Sequence, residues 1–217
     1  MRLLYTLFFV LFLTACAKPA EEAPEAVTDQ VRLLVAHEVD DYAVWRERFN
    51  AQVDARLDAG VEDELVMQAE DNPNLVFVLL TVRDREAATA FLTDPETARS
   101  MEFAGVTGEL LTELVTYGTL WPTTTETGLR LLVRHPVEDF ERWMNTFKGH
   151  EQERANAGVH TMMVTQALDD PNDVMMMFSV TDPETVSDYM SSQLLRVTMR
   201  LAGVIGEPQA YFVTVAD

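Results

Sequence analysis

Apolar residues alternate through Val31, Leu33 and Val35, with His37 closing the row, which is the period of a strand whose one face is more apolar than the other. Asp40 or Asp41 then caps a helix on which Tyr42, Trp45, Phe49 and Val53 recur at helical spacing, until Ala59-Gly60 stops it. Two strands follow, about Glu64 to Ala69 and Leu75 to Val82, joined through Asp71-Asn72-Pro73-Asn74, whose proline and asparagines are turn formers. A helical stretch from Arg85 to Ala104, with a break near Asp94-Pro95, ends at Gly105, and Leu111 to Tyr117 reads as a last strand. The order is βαββαβ, that of a ferredoxin-like unit.

The pattern occurs twice. The 89 residues from Val31 to Thr119 return without insertion or deletion as Leu129 to Asp217, so that His37 and His135, Trp45 and Trp143, Gly60 and Gly158, and Pro73 and Pro171 each lie 98 apart. Roughly a third of the positions are identical, and a repeat this long is a duplicated domain, not a solenoid unit. A unit of this size has a small core and gains by burying a face against its twin. The expected fold is therefore α+β, with the repeats 31–119 and 129–217 paired within one monomeric chain through a linker at 120–128.

Ahead of the repeats, Arg2 supplies a positive charge, Leu3 to Leu13 an apolar run, and Leu13-Thr14-Ala15-Cys16 a stretch of small residues before a cysteine. The run is shorter than the ~20 residues a spanning helix needs, and it reads as a signal peptide over 1–15. The four residues resemble the lipobox of bacterial lipoproteins. That resemblance implies cleavage before Cys16, acylation of its thiol with a chain such as palmitate, and anchoring in a lipid bilayer. Ala17 at the next position implies, by the same resemblance, the periplasmic face of the outer membrane, within the cell envelope. Residues 16–30 are rich in Ala, Pro and Glu and read as a disordered acidic tether. Cys16 is the only cysteine, so the fold contains no disulfide. With 36 acids against 16 Lys and Arg, the net charge of −20 argues against nucleic acid or anionic lipid as a partner.

The recurring His-x-Val-x-Asp-Tyr/Phe-x-x-Trp-x-x-x-Phe, the Arg-x-x-Ala-Gly-Val at Arg56 and Arg154, the Asp-x-Pro-Asn hairpin and the closing Ala-Gly-Val-x-Gly-Glu resemble the dimeric α+β barrel superfamily. The nearest likeness is to small bacterial members called cyclase-like or antibiotic-biosynthesis-monooxygenase-like. The resemblance covers both repeats. It implies two four-stranded sheets, normally from two chains, that pair face to face and enclose a cavity, here as an intrachain pseudo-dimer. The superfamily hosts monooxygenases, haem enzymes, isomerases and proteins with no known activity, so the fold alone does not name a reaction.

The candidate residues come in pairs. His37 and His135 lie on the row expected under the helices, where a histidine bonded to the next loop or helix cap is the plainer reading and a ligand contact the other. Arg32, Arg130 and Arg134 occupy the opposite face; they either bind a carboxylate or phosphate inside the barrel or point to solvent at strand ends. Trp45 and Trp143 belong to an apolar helix stripe, where core packing is the plainer reading and a ligand or cofactor contact the other. Arg56 and Arg154 follow two turns after Phe49 and Phe147, and either snorkel or pair with nearby acids, with a ligand-binding arginine as the remaining reading. No nucleophile triad, His-x-x-x-His pair or phosphate loop is present, and no metal site or cofactor is expected. Eight of the eleven methionines fall in the second repeat, where the first uses Leu, Val and Phe; adaptable packing explains them better than copper(I) does. The leading expectation is binding of a small apolar or anionic molecule, or of a protein partner, without catalysis. The competing one is a cofactor-independent monooxygenase-like or haem-binding barrel enzyme.

Overall fold

The computed structural model describes residues 31–120 and 128–216. Cys16, the tether and most of the linker, with Trp121, lie outside the described residues. The first repeat runs β1 (Val31–Val39), α1 (Tyr42–Ala51), α2 (Val53–Asp58), β2 (Val61–Ala69), β3 (Leu75–Val82), α3 (Arg85–Thr93), α4 (Pro95–Phe103) and β4 (Val106–Leu120). The second repeats it as β5 (Leu129–Pro136), α5 (Phe140–Gly149), α6 (Glu151–Asn156), β6 (Val159–Ala167), β7 (Asp173–Val180), α7 (Pro183–Ser191), α8 (Gln193–Ala202) and β8 (Gln209–Val215). The first helix of each repeat is expected as one piece and is two, divided at Gln52 and at His150.

Local chemistry sets these boundaries. Asp41 and Asp139 each accept a hydrogen bond from the backbone N–H three residues on, at 3.0 and 2.7 Å, and so cap α1 and α5. The hairpin asparagines do the neighbouring job: Asn74 Oδ1 accepts from Tyr42 N at 3.2 Å and Asn172 Oδ1 from Phe140 N at 3.0 Å. This ties each β-hairpin to the start of a helix 32 residues away and accounts for the repeated Asp-x-Pro-Asn. Gly158, at φ 74°, turns α6 into β6 where an added Cβ would sit 2.2 Å from Thr181 Oγ1, so no other residue fits without movement.

Every strand pairing is antiparallel, and the strands close into a barrel in the order β1-β3-β2-β8-β5-β7-β6-β4. The repeats meet at two seams. Met67 to Ala69 of β2 pair with Val213 to Val215 of β8, and Val115 to Leu120 of β4 pair with Met163 to Ala167 of β6. β1 and β5 run in the same direction on opposite sides, so the pseudo-twofold axis lies along the barrel.

Three cores result. One lies under the helices of each repeat, around Trp45, Val61 and Val76 in the first and around Trp143, Val174 and Phe178 in the second. The third is inside the barrel, where Leu34, Met67, Phe77, Leu79, Leu132, Met163, Met175, Met177 and Val213 interdigitate. Large side chains from both sheets meet there.

Candidate functional site

A cavity lies outside the barrel, between the sheet of repeat 1 and its helices. This cavity is about 440 Å³, with walls from Val35, Val78 and Leu80 of the sheet, Trp45 and Phe49 of α1, and Phe91 and Met101 of α3 and α4. Its few polar side chains are His37, Gln52, Arg56, Asp94, Glu96, Thr97 and Ser100. An apolar pocket with a small set of polar groups is the usual form of a small-molecule site.

His37 sits on the helix side of β1, as its alternation predicts, and is buried. The expected bond to a loop or helix cap is absent: neither ring nitrogen has a hydrogen-bond partner among the described residues. Its ring meets that of Trp45 edge-on at 5.7 Å. Burial pushes its pKa down to about 4, so the imidazole is neutral near pH 7, with one N–H and one lone pair unused. His135 repeats the placement against Trp143 at 5.7 Å, and burial likewise lowers its pKa to about 4.

The tryptophans are core, as expected, each stacked at 4.9 Å on the phenylalanine one turn on. The arginines that follow them do not snorkel. Arg56 and Arg154 are buried, lie 3.7 Å over the rings of Phe49 and Phe147, and donate to the carbonyls of the same residues at 2.6 Å. Burial lowers the Arg154 pKa to about 10. The motif arginine is therefore a staple holding the end of one helix segment against the next, and in repeat 1 its edge also meets the cavity.

Arg32, Arg130 and Arg134 do face the barrel interior. Arg134 is neither solvent-facing nor free for a ligand, since its guanidinium meets Asp173 at 2.6 Å and Glu113 at 2.9 Å. Arg32 is buried at the other end of the barrel. Arg130, on the matching position of β5, is half-buried and reaches Met177 Sδ at 3.6 Å, and burial lowers its pKa. Neither Arg32 nor Arg130 lines the cavity, so the candidate residues divide: His37, Trp45 and Arg56 come together and the barrel-facing arginines stay apart from them.

Repeat 2 has the same place filled. Its space is about 80 Å³. Val78 and Leu80 are replaced by Met176 and Phe178, Ala88 by the buried Val186, Thr97 by Leu195, and Gln52 by His150. His150 bonds to Thr146 O at 2.9 Å and meets Thr198 Oγ1 at 3.5 Å. Reading one repeat at a time misses this. Comparing side-chain volumes position by position across the duplication would have found it.

No family model matches the sequence, and no curated protein sequence is detectably similar to it. Solved structures do share the fold. An anthrone oxidase-like protein superposes with a TM-score of 0.60 at 13% identity, covering 90% of this chain and 95% of the other. A heme-binding protein from Thermus thermophilus gives 0.53 at 10% identity, over 92% and 96% of the two chains. A ferredoxin-fold protein from Listeria monocytogenes, related to antibiotic biosynthesis monooxygenases, gives 0.50 at 8% identity, over 88% and 96%. Together with the closed barrel of two βαββαβ units, these likenesses identify the fold as the dimeric α+β barrel, with both halves supplied by one chain.

Proposed function

We propose that this protein is a monooxygenase-like barrel whose working site is the repeat 1 cavity, which takes a flat, largely apolar molecule bearing a hydroxyl or carbonyl, such as a quinol or polycyclic phenol. The observation that carries this reading is His37, a buried imidazole with both nitrogens unpartnered at the wall of an apolar space, in the one repeat where that space is open. A buried polar group left without a partner costs free energy, and a ligand hydroxyl or carbonyl would supply the missing bond. Asp94 and Glu96 line the same cavity and disfavour an anionic ligand. Repeat 2 keeps the fold of the site with its space filled, and serves as the structural partner that closes the barrel.

A second reading is favoured by one feature of the same histidine. A base with a pKa near 4 is a weak proton acceptor at neutral pH, yet its lone pair stays available to haem iron. Trp45, Phe49 and Leu80 would wall a porphyrin and His37 would hold the iron, while the acids of the cavity oppose its propionates. When bound, such a group would supply one-electron and oxygen chemistry.

The test is a titration of the purified protein with naphthoquinols and with haem, followed by tryptophan fluorescence, the haem absorption band and oxygen uptake. Val78→Met/Leu80→Phe, which rebuilds the repeat 2 wall in repeat 1, should abolish binding with the melting temperature kept or raised, and His135→Ala should leave binding in place. Equal binding by wild type and the filled variant would remove this cavity from consideration. A haem band lost in His37→Ala with no response to quinols would select the second reading.

The lipobox resemblance supports one further part of the proposal, that acylated Cys16 holds this barrel at a bilayer of the cell envelope. Cys16→Ser should lose labelling by a fatty-acid probe; equal labelling of both proteins would end the lipoprotein reading.

A further inference from the structure

Repeat 2 carries on its outside something repeat 1 lacks. Helix α8 exposes Leu194, Val197 and Leu201 by 60, 41 and 66%, and Ile205 just beyond its cap by 49%. Spacings of three and four residues set the first three in one stripe, while Leu195, Met199 and Ala202 turn inward against the sheet. In repeat 1 the matching residues are Glu96, Arg99, Phe103 and Thr107; the only apolar one, Phe103, lies under the Arg48 guanidinium at 4.3 Å.

Helix α8 holds no acid in a chain with 36 of them. Arg196 and Arg200 flank the stripe on one side, where they border an open groove ending at Glu207 and Pro208. On the other side Arg142 of α5 reaches over to Leu201 O at 2.8 Å. The Arg196 guanidinium bonds to Ser191 O, and that of Arg200 has no hydrogen bond or ion pair among the described residues.

We propose that α8 rests on a phospholipid surface, with Leu194, Val197, Leu201 and Ile205 entering the headgroup boundary and the arginines on both sides reaching lipid phosphates. A narrow apolar stripe bordered by arginines is the composition of an interfacial helix. A second copy fits this face less well. Four side chains fall far short of the roughly 20–30 residues a side that a stable dimer uses. The net charge of −20 opposes anionic lipid as it opposes a second copy, and the acid-free helix with its arginines is the local exception that lipid phosphates can meet. The bilayer is also where the N-terminal pattern would bring the chain: Ala17 to Gln30 can reach ~45 Å when extended, enough to let a barrel side settle on the membrane.

The experiment uses the chain from Gln30 to Asp217, which holds all eight strands and no anchor, sedimented with vesicles of phosphatidylethanolamine and phosphatidylglycerol at millimolar lipid. Wild type should co-sediment, and Leu194→Gln/Leu201→Gln, at exposed positions that leave the melting temperature unchanged, should lower the partition at least about tenfold. Arg196→Gln/Arg200→Gln should lower it less and flatten its salt dependence, and inorganic phosphate should not compete, which separates a lipid surface from a free phosphate site. Wild type that stays in the supernatant, or a leucine variant that binds as wild type does, would overturn the proposal. So would a wild-type dimer that the leucine changes make monomeric, since the stripe would then cover a second copy. The stripe and the cavity lie in different repeats, so failure here leaves the quinol reading untouched.

Discussion

His37 and His135 are held neutral by burial, and this makes stability depend on pH in a defined window. The unfolded histidines take up protons below about pH 6.5, whereas the folded ones resist until about pH 4. Between those values the unfolded state binds more protons, so stability is highest above pH 6.5 and falls as the pH drops towards 4. At pH 5 each histidine should remove about 2 kcal/mol relative to pH 7. Glu113, whose pKa burial raises against the pull of Arg134, acts in the opposite sense and softens the fall. His37→Gln should halve the histidine part of the loss, read from urea midpoints at pH 7 and pH 5. If the variant and wild type weaken in parallel, His37 is not held neutral in the folded state.

Among the elements, most of what the sequence suggests survives because it rests on local chemistry that the duplication prints twice. The strand Leu75–Val82 and the break at Asp94-Pro95 follow from alternation and from proline at the start of a helix, and both appear where expected. The placement of His37 under the helices and of Arg32 in the barrel follows from the two-residue period of a strand. What could not be read is set by neighbours from distant elements. The bulges after Asp63 and Thr161 shift the register of β2 and β6 and decide that Met163 faces into the barrel. The same holds for the methionine triplet, whose alternation is visible but whose consequence is not. Met175 and Met177 join the barrel core while Met176 fills the space that Val78 leaves open in the other repeat. A cavity is a difference between packed volumes, and no single repeat contains that difference. Nor does spacing reveal that Arg56 and Arg154 fold back onto the phenylalanines seven residues before them.

For the whole molecule, duplication within one chain has allowed the two halves to become unlike in ways that favour pairing with each other over pairing with themselves. The Arg134 contact with Glu113 joins β5 to β4 across the barrel interior and occurs once, because the matching residues are Ala36 and Tyr211. A barrel made from two copies of repeat 1 would bury Glu113 twice with no arginine, and one made from two copies of repeat 2 would hold Arg134 twice without its cross-barrel acid. In the second case Asp173 of the same repeat still pairs Arg134, so the larger penalty falls on repeat 1, whose Glu113 would lie part-buried with no cation. Residues 31–119 and 129–217, made as separate chains, should therefore expose open strand edges and associate poorly when alone, yet form a one-to-one complex when mixed. The chain from Gln30 carrying both should be a monomer. Sedimentation and native mass measurement distinguish the species, and Glu113→Gln should strengthen self-association of the first repeat by removing its unpaired charge. Homodimers of either repeat that persist after mixing, or no one-to-one complex on mixing, would show that the unlike ion pair does not direct assembly.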